Sequence, residues 1–340
     1  MPANTNAFRS KLPAFHRSLH RWYQTHGRRD LPWRNTRDPY AIYVSEIMLQ
    51  QTQVKTVLER YYSPFLKRFP TLAALARASS QHVMKAWEGL GYYTRARNLH
   101  AAAQQCRGAL PSTAEGLMGL PGIGRNTAHA IACFAFGAEV PVMEANVKRV
   151  LHRVFALKKA DDKTLWEKAR QLLDSKNPFD YNQAMMDIGA MVCTKRNPRC
   201  DVCPLAILCA GKASPALYPA AKRAKAVPMR KRVIVVIKDV KDCYYLVPRK
   251  TRFLGGLYGF MELEENAVAV LFAGKKHSLK YRLGQITQAY SHFTLHAQAY
   301  LLQVNAPLPS SFTLAQIEAL PLSGADRKVV KLLENALIKA

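Results

Sequence analysis

The chain has 340 residues, enough for two domains that each bury a core of their own. Apolar residues make up 49% of it, which excludes a largely disordered protein. Its 50 Lys and Arg against 23 Asp and Glu give a formal charge of +27, and so positive a surface attracts polyanions, nucleic acid first and an anionic membrane second. No apolar run approaches the ~18 residues of a membrane-spanning helix, and the N-terminus lacks the apolar core of a signal peptide. We therefore expect an intracellular protein, cytoplasmic and nucleoid-associated if the source is a bacterium.

Apolar residues recur at helical spacing from about Phe8 to Cys209, as at Val147, Val150 and Leu151, which predicts that this half is nearly all helix. Residues 213–228 are rich in Pro, Ala and cations and predict a linker. Beyond them, the segments VIVVIKDV, CYYLVPRK and AYSHFTLHAQAYLLQV predict strands, and DRKVVKLLENALIK predicts a final helix. The sequence thus predicts a multidomain protein: an all-α domain over residues 1–212, a basic linker over 213–228 and an α+β domain over 229–340.

The first chemical signal is the segment YVSEIMLQQTQV. Glu46 lies there among apolar residues such as Val44 and Ile47, where desolvation would raise the pKa of its carboxyl and let it act as an acid. The polar residues that follow predict a helix break, with Thr52 as the N-cap of the next helix. The alternative is that Glu46 is a partly buried acid paired with a nearby arginine.

A second signal is LMGLPGIGRNTAHAIA. Gly122 and Gly124 bracket Ile123 in a tight turn, and glycine lets a backbone approach another surface closely. The next helix is expected to begin at about Arg125, so its free N–H groups would face an anion such as a DNA phosphate. An ordinary helical hairpin is the alternative. Such a hairpin would grip the DNA backbone without reading bases.

A second carboxylate, Glu144, stands just before the helix that carries Val147, Val150 and Leu151. Acids are favoured at helix N-termini simply because they complement the dipole. A neutral acid combined with an ionised one is, however, also the pair that cleavage of a glycosidic bond requires.

Four cysteines, Cys193, Cys200, Cys203 and Cys209, follow the spacing C-x6-C-x2-C-x5-C. Thiols in a reducing compartment are seldom structural disulfides, so metal is expected. A zinc ribbon would show two CxxC pairs, whereas four thiolates on one short loop suit a 4Fe-4S cluster; zinc and unliganded cysteines remain the alternatives. Three cations lie within this loop, Lys195, Arg196 and Arg199, and either are solvated or are held against phosphates.

Together, GLGYYTRARNLH, LPGIGRNTAHAI, SEIMLQQTQV, NQAMMDIGAMVC and the cysteine loop resemble the MutY adenine DNA glycosylases of the helix-hairpin-helix superfamily, over about residues 15–215. The resemblance implies hydrolytic removal of adenine, mispaired with 8-oxoguanine or guanine in duplex DNA, after the base is flipped out. It implies that Glu46 protonates the adenine and that Glu144 stabilises the sugar cation. By the same resemblance Arg34 and Gln183 line the adenine pocket, and Gln51 and Tyr92 enter the base stack.

Two positions depart from related enzymes. Endonuclease III, which shares this fold and cluster, carries a lysine nucleophile directly after the hairpin arginine, but this chain has Asn126, which cannot form an imine. We therefore expect base removal with little or no strand cleavage. The family's Asp-Gly is replaced by Glu144 and Ala145. The carboxylate therefore has one more rotatable bond, and a glycine, which readily adopts φ > 0, is lost.

The segment AYSHFTL resembles the Nudix-like 8-oxoguanine reader of the same family. Ser291 and His292 match the family's FSH segment, with Tyr290 in place of the phenylalanine. The resemblance implies that Ser291 hydrogen-bonds the oxidised base and that His292 is also a substrate- or DNA-binding residue. The acids of ELEEN do not extend into the repeating pattern that a Mg²⁺-binding Nudix helix needs, so we expect recognition rather than hydrolysis. We expect a monomer. The alternatives are an endonuclease III-like glycosylase/lyase acting on oxidised pyrimidines and a non-catalytic iron-sulfur protein that binds DNA.

Overall fold

The computed structural model describes residues 4–221, 226–251, 253–264 and 277–338. Contacts between Cα atoms divide the chain into two compact units. The first consists of Met1–Leu66, Thr71–Ala73 and Ala102–Arg223, and the second of Lys67–Pro70, Ala74–Ala101 and Ala224–Ala340. The second unit therefore includes a segment from the helical half of the sequence.

Before Met229 the described chain contains helices and no strands, which confirms the prediction of an all-α first half. Its helices are α1 Asn4–His26, α2 Pro39–Leu49, α3 Val54–Arg60, α4 Tyr62–Arg68, α5 Leu72–Arg77, α6 Ser80–Ala86, α7 Thr94–Gln105, α8 Ala114–Met118, α9 Arg125–Phe136, α10 Ala145–Val154, α11 Asp162–Leu172 and α12 Pro178–Asp187. Short 3-10 turns lie at Pro32–Arg34 and Pro215–Leu217, and a π-helical turn at Ile188–Val192 leads into the cysteine loop.

Side chains fix where several of these helices begin. Asp38 accepts a hydrogen bond from the backbone N–H of Tyr40, with a proline at the first position of α2. At α3, Gln53 is the N-cap, so the prediction that Thr52 caps this helix is wrong. The helix starts one residue later than Thr52 would require, and the Thr52 hydroxyl lies instead 3.4 Å from the carbonyl oxygen of Gln50.

Two apolar clusters hold the helices of the first unit together. The larger joins α1, α10, α11 and α12, and it includes Val147, Val150 and Leu151, the face that the helical spacing predicted. The smaller cluster joins α2 and α9 to the segment between α9 and α10, through Ile42, Ala130, Cys133, Phe134 and Val142. Ile42 of this smaller cluster lies on α2, the helix that carries Glu46, and Val142 lies two residues before Glu144.

Residues just before and within the predicted linker are hydrogen-bonded to the helical unit. The N–H of Gly211 donates to the carbonyl of Arg153 at 2.9 Å, and that of Ala220 donates to Lys158 at 2.9 Å. The Arg153 Nε also donates to the carbonyls of Pro215 and Tyr218, at 3.0 and 3.1 Å. Residues 211–220 are thus hydrogen-bonded to the first unit and form part of it.

The second unit contains a mixed sheet. Its strands are β1 Met229–Lys238, β2 Tyr244–Tyr245, β5 Met261–Leu263, β6 His277–Ala289, β7 Thr294–Val304 and β8 Ser311–Phe312, and β3 Val247–Pro248 pairs with β4 Tyr258–Gly259 separately. The order is β6-β7-β1-β2-β8, with β5 also on β1; β1 and β7 run parallel, and the other pairs are antiparallel. Helices α13 Leu314–Ala319 and α14 Gly324–Ile338 follow, so the α+β prediction is confirmed.

Strand β1 is buried on both faces of the sheet. On one face Val233, Val235 and Ile237 belong to an apolar cluster of the second unit. On the other face Ile234 and Val236 belong to another apolar cluster of the same unit. The continuous apolar run predicted this strand. The sequence did not predict β6, because register shifts between Leu279/Tyr281 and Arg282/Gly284 break its two-residue period.

In the part of the chain that the structure describes, no helix has the length and apolar character needed to cross a membrane.

Candidate active site

Helix α2 carries Glu46 between buried apolar neighbours, among them Val44 and Ile47. Burial raises the pKa of the Glu46 carboxyl to about 7; the positive charge of Arg34 opposes this shift, and the negative charge of Glu144 adds to it. Glu46 as a whole residue is half-buried. The Glu46 carboxyl therefore keeps its proton to a higher pH than an exposed glutamate does.

Arg34 is buried and bonded to a different acid, Asp187 at the end of α12. Its Nη1 lies 2.7 Å from Asp187 Oδ2 and its Nη2 2.9 Å from Oδ1. Arg28 joins the same carboxylate through its backbone N–H at 2.9 Å and its Nε at 2.8 Å. Burial would raise the pKa of Asp187, but the hydrogen bonds and charges of Arg34 and Arg28 outweigh it and hold that pKa below its usual value. Arg34 therefore acts on Glu46 through its charge, while its hydrogen bonds hold Asp187.

One turn before Asp187, α12 carries Gln183, which is buried. Gln183 and Arg34 were predicted to line one pocket, and Asp187 connects them structurally because it lies on the helix of one and is bonded to the other. Sequence reasoning did not single out Asp187 or Arg28. The acid of NQAMMDIGA offered a signal, since an aspartate among buried apolar residues needs a cationic partner.

Glu144 is the N-cap of α10. Its Oε2 accepts the N–H of Asn146 at 2.8 Å, and its Oε1 accepts that of Val147 at 3.1 Å. Burial raises the pKa of the Glu144 carboxyl, and the two backbone hydrogen bonds and the charge of Arg149 partly offset that shift. Ala145 is the first residue of α10 and does not have a positive φ, so this backbone does not require a glycine there.

The hairpin between α8 and α9 has the predicted form. Gly122 adopts φ +76°, in the left-handed region that favours glycine, and α9 begins at Arg125 as expected. Gly124 has an ordinary φ of −87°, and an added Cβ there would meet no atom within 4 Å. Both glycines are exposed, so the N-terminal N–H groups of α9 are open to an external anion.

Gln51 and Tyr92, the predicted base-stack residues, share an uncommon backbone conformation. Their φ angles are +57° and +49°, and both side chains are exposed, Tyr92 to 44%. Non-glycine residues in this region carry strain of about 1 kcal/mol or more and cluster at functional sites. Each residue therefore projects from a strained turn of its own unit.

The four cysteines of the loop line a single small cavity together with Arg153. Arg153 Nη1 lies 3.2 Å from the Cys193 Sγ and 2.7 Å from the Thr194 carbonyl oxygen. Burial, with the neighbouring sulfurs, raises the pKa of Cys203 to about 12 and raises those of Cys200 and Cys209. Within the described ranges, no group of three or more His, Cys, Asp or Glu side chains is arranged so that it could hold a metal ion.

In the second unit, Tyr92, Ser291 and His292 line one cavity of about 400 Å³. Ser291 and His292 are exposed in the turn between β6 and β7, and the Ser291 Oγ lies 3.3 Å from the His292 Nδ1. Phe253 packs its ring edge-on against His292, with ring centroids 4.9 Å apart. This cavity has the size and the mixed aromatic and polar lining of a ligand site.

The helical region from residue 44 to residue 175 matches the family model of the HhH-GPD superfamily base excision DNA repair protein. Over 335 residues the chain is 31% identical to the adenine DNA glycosylase of Buchnera aphidicola subsp. Acyrthosiphon pisum, covering 92% of this chain and 95% of the relative. The chain belongs to the adenine DNA glycosylase family. Its resemblance to that family, stated from motifs, is confirmed.

Other members of the adenine DNA glycosylase family match a smaller part of the chain. The adenine DNA glycosylase of Buchnera aphidicola subsp. Baizongia pistaciae is 41% identical over 202 residues, 57% of each chain. The human adenine DNA glycosylase is 45% identical over 218 residues, 59% of this chain and 40% of the relative. The chain thus spans about half the length of these two relatives. A solved structure of a thermostable thymine-DNA glycosylase aligns with a TM-score of 0.57 at 30% identity, over 61% of this chain and 99% of that chain.

Proposed function

We propose that the chain hydrolyses the N-glycosidic bond of adenine mispaired with 8-oxoguanine or guanine in duplex DNA, after the adenine is flipped out of the helix. The observation that carries this proposal is the pair of carboxyls in the first unit: Glu46 has a pKa of about 7 and interacts with Glu144 across the site. Membership of the adenine DNA glycosylase family supports the choice of base.

In the proposed reaction, the protonated Glu46 gives its proton to a ring nitrogen of the adenine. The bond between the sugar carbon and the base nitrogen then breaks, and its electron pair leaves with the adenine. A general acid is most effective when its pKa lies near the working pH, which is the value that burial gives Glu46. Arg34 limits how far that pKa rises, because its positive charge favours the ionised carboxylate.

Glu144 faces the positive charge that develops on the sugar. A carboxylate close to an oxocarbenium-like centre lowers the energy of the transition state, and it can orient the water that adds to the sugar. The water loses one proton as it adds, and the Glu46 carboxylate takes up that proton, so Glu46 returns to its protonated form. A carboxylate has about four acceptor positions, so the two N–H bonds from α10 leave capacity for that water.

We propose that the chain binds DNA through the hairpin between α8 and α9 and through the strained turns at Gln51 and Tyr92. The N-terminus of α9, with Gly122, Gly124 and Arg125, is proposed to hold a backbone phosphate. Gln51 and Tyr92 are proposed to enter the base stack, which offsets part of the unstacking cost of a few kcal/mol. Arg34 and Gln183 are proposed to border the flipped adenine.

The cavity lined by Ser291 and His292 is proposed to read the oxidised base opposite adenine, and the surrounding domain is proposed to be Nudix-like. The aromatic edges of Phe253 and Tyr92 there suit the faces of a base. We propose no hydrolase activity for this domain. Glu262 and Glu264 lie on or beside β5 rather than along a helix, and Glu265 lies outside the described residues.

Cys193, Cys200, Cys203 and Cys209 are proposed to hold a 4Fe-4S cluster. Their lining of one cavity supports this, and the spacing C-x6-C-x2-C-x5-C has one CxxC pair where a zinc ribbon would have two. A bound cluster would supply positive charge that favours loss of the protons from these thiols. The cluster would hold Lys195, Arg196 and Arg199 in a fixed loop against DNA.

The enzyme is proposed to be monofunctional and monomeric. Asn126 stands where a lysine nucleophile would form an imine, and its amide has no such chemistry. A gel of duplex DNA carrying adenine opposite 8-oxoguanine tests the function. We expect cleavage only after alkali treatment; nicking without alkali would favour the lyase alternative.

The Glu46→Gln variant tests the mechanism on the same substrate. It should lose excision while the dissociation constant for the duplex stays within about twofold, since the amide has nearly the shape of the protonated acid but donates no acidic proton. Glu59→Gln, an exposed acid on α3, is the matched control and should excise at the wild-type rate. Excision by Glu46→Gln at that rate would refute the assignment.

A further inference from the structure

The segment that joins α9 to α10 carries Glu144 into the site without forming a helix or strand of its own. Its last residues before Glu144, from Pro141 to Met143, are buried. Buried backbone groups need hydrogen-bond partners. The structure supplies them from side chains of the two flanking helices, α9 and α12.

Asn182 of α12 holds the start of this segment with both ends of its amide. Its Oδ1 accepts the N–H of Val142 at 2.8 Å, and its Nδ2 donates to the carbonyl of Val140 at 2.9 Å. On the other side, the His129 Nδ1 lies 2.9 Å from the Pro141 carbonyl. The carbonyl can only accept, so Nδ1 carries the proton. Burial lowers the pKa of His129, which favours this neutral form.

Asn126 provides the final bond. Its Oδ1 accepts the N–H of Met143 at 2.7 Å, one residue before Glu144. Immediately after Glu144, the chain enters α10, whose first free N–H groups bind the Glu144 carboxylate. The backbone of the catalytic carboxylate is thus fixed by Asn126 on one side and by α10 on the other.

We propose that Asn126 is a positioning residue that sets the distance between the carboxylates of Glu144 and Glu46, an inference that rests on the proposed function. Asn126 then has a structural role in addition to replacing the lysine nucleophile of endonuclease III. A lysine has no acceptor atom and cannot hold the Met143 N–H, whereas the asparagine amide can.

The length of Glu144 makes this fixation important. A glutamate has one more rotatable bond than an aspartate, so small backbone shifts displace its carboxylate more freely. Misplacement of a catalytic group by about 1 Å can cost ~100-fold in rate. The Asn126 bond removes one source of that freedom at the residue next to Glu144.

The test compares Asn126→Leu with Asn126→Asp on duplex DNA carrying adenine opposite 8-oxoguanine. Leucine has nearly the same size but no acceptor, so single-turnover excision should fall by about tenfold to ~100-fold, with the duplex dissociation constant unchanged. Aspartate keeps an acceptor and should recover most of the lost rate. A displaced Glu144 would no longer raise the pKa of Glu46, so the alkaline limb of the Asn126→Leu rate profile should move to lower pH.

Asn177→Ala is the matched control. Asn177 is an exposed asparagine that caps α12, so its loss should lower the melting temperature without moving the alkaline limb. Hydrogen exchange of the Met143 amide gives a readout that needs no activity, and it should accelerate in Asn126→Leu.

The outcomes separate the two proposals. If the wild type excises adenine and Asn126→Leu keeps its rate and its alkaline limb, the positioning role is wrong and the proposed function stands. If the wild type does not excise adenine, the proposed function fails. In that case the hydrogen-exchange rate of the Met143 amide still tests the positioning role. An equal rate in Asn126→Leu and in the wild type would refute the proposal that Asn126 fixes the segment before Glu144.

Discussion

Arg34 and Asp187 form a buried, two-bond ion pair, with Nη1 2.7 Å from Oδ2 and Nη2 2.9 Å from Oδ1. Both side chains are almost completely buried. Because Arg34 also lies close enough to Glu46 to lower its pKa, Asp187 neutralises part of the charge that would otherwise act on Glu46, the proposed catalytic acid.

Asp187→Asn should destabilise the protein and weaken catalysis together. Removing one partner of a buried ion pair leaves an uncompensated charge and typically costs about 3–5 kcal/mol. The freed charge of Arg34 should also lower the pKa of Glu46, so the excision rate should fall at a lower pH than in the wild type. Urea unfolding and a pH-rate profile measure the two effects.

Asp162→Asn is the control for this change. Asp162 bonds to Lys148 at 2.7 Å on the surface, where an ion pair contributes at most about 1 kcal/mol. An unfolding free energy of Asp187→Asn equal to that of Asp162→Asn would contradict a structural role for the buried pair.

Glu46→Gln should be more stable than the wild type at alkaline pH. The folded-state pKa of about 7 lies above the unfolded value of 4.5, so the unfolded chain releases its proton first and stability falls as pH rises through this window. The loss is about 3 kcal/mol at pH 8 and is absent below pH ~4. Denaturant unfolding of both proteins at the two pH values checks this. Equal stability at pH 8 would mean that Glu46 is not desolvated.

Gly122→Ala and Gly124→Ala should separate backbone strain from DNA contact. Alanine at Gly122 must adopt φ +76°, which costs about 1–2 kcal/mol. At Gly124 the φ of −87° suits alanine and the added Cβ meets no atom within 4 Å, so the unfolding free energy should change less. Both methyl groups stand where the proposed function places a DNA phosphate, so both variants should bind duplex more weakly. Wild-type affinity for Gly124→Ala would exclude close approach of DNA there.

Cys203→Ser should disrupt the proposed cluster. The purified wild type should contain about four iron and four sulfide atoms per chain, and the variant should contain clearly less. Loss of the cluster should free the loop and weaken duplex binding, most strongly at low salt, because the cations of the loop would no longer be fixed. Cys243→Ser, a cysteine outside this loop, is the control and should keep its iron. Stoichiometric zinc in place of iron would refute the cluster.

The sequence by itself predicted what depends on local pattern. Helical spacing identified the buried face of α10, the continuous apolar run identified β1, and the two glycines predicted the hairpin and the start of α9 at Arg125. The apolar neighbours of Glu46 predicted a raised pKa, because they lie on the same helix and desolvate the carboxyl in any fold that buries that helix.

Only the tertiary structure decided which distant side chains meet. Arg34 and Asp187 are 153 positions apart, and Asn126 binds Met143 across 17 positions, so neither contact leaves a periodic signal in the sequence. Strand β6 escaped prediction because its register shifts disturb the alternation of side chains. Local periodicity reports burial, but a hydrogen bond between remote residues depends on how whole helices pack, and that packing placed Glu144 beside Glu46.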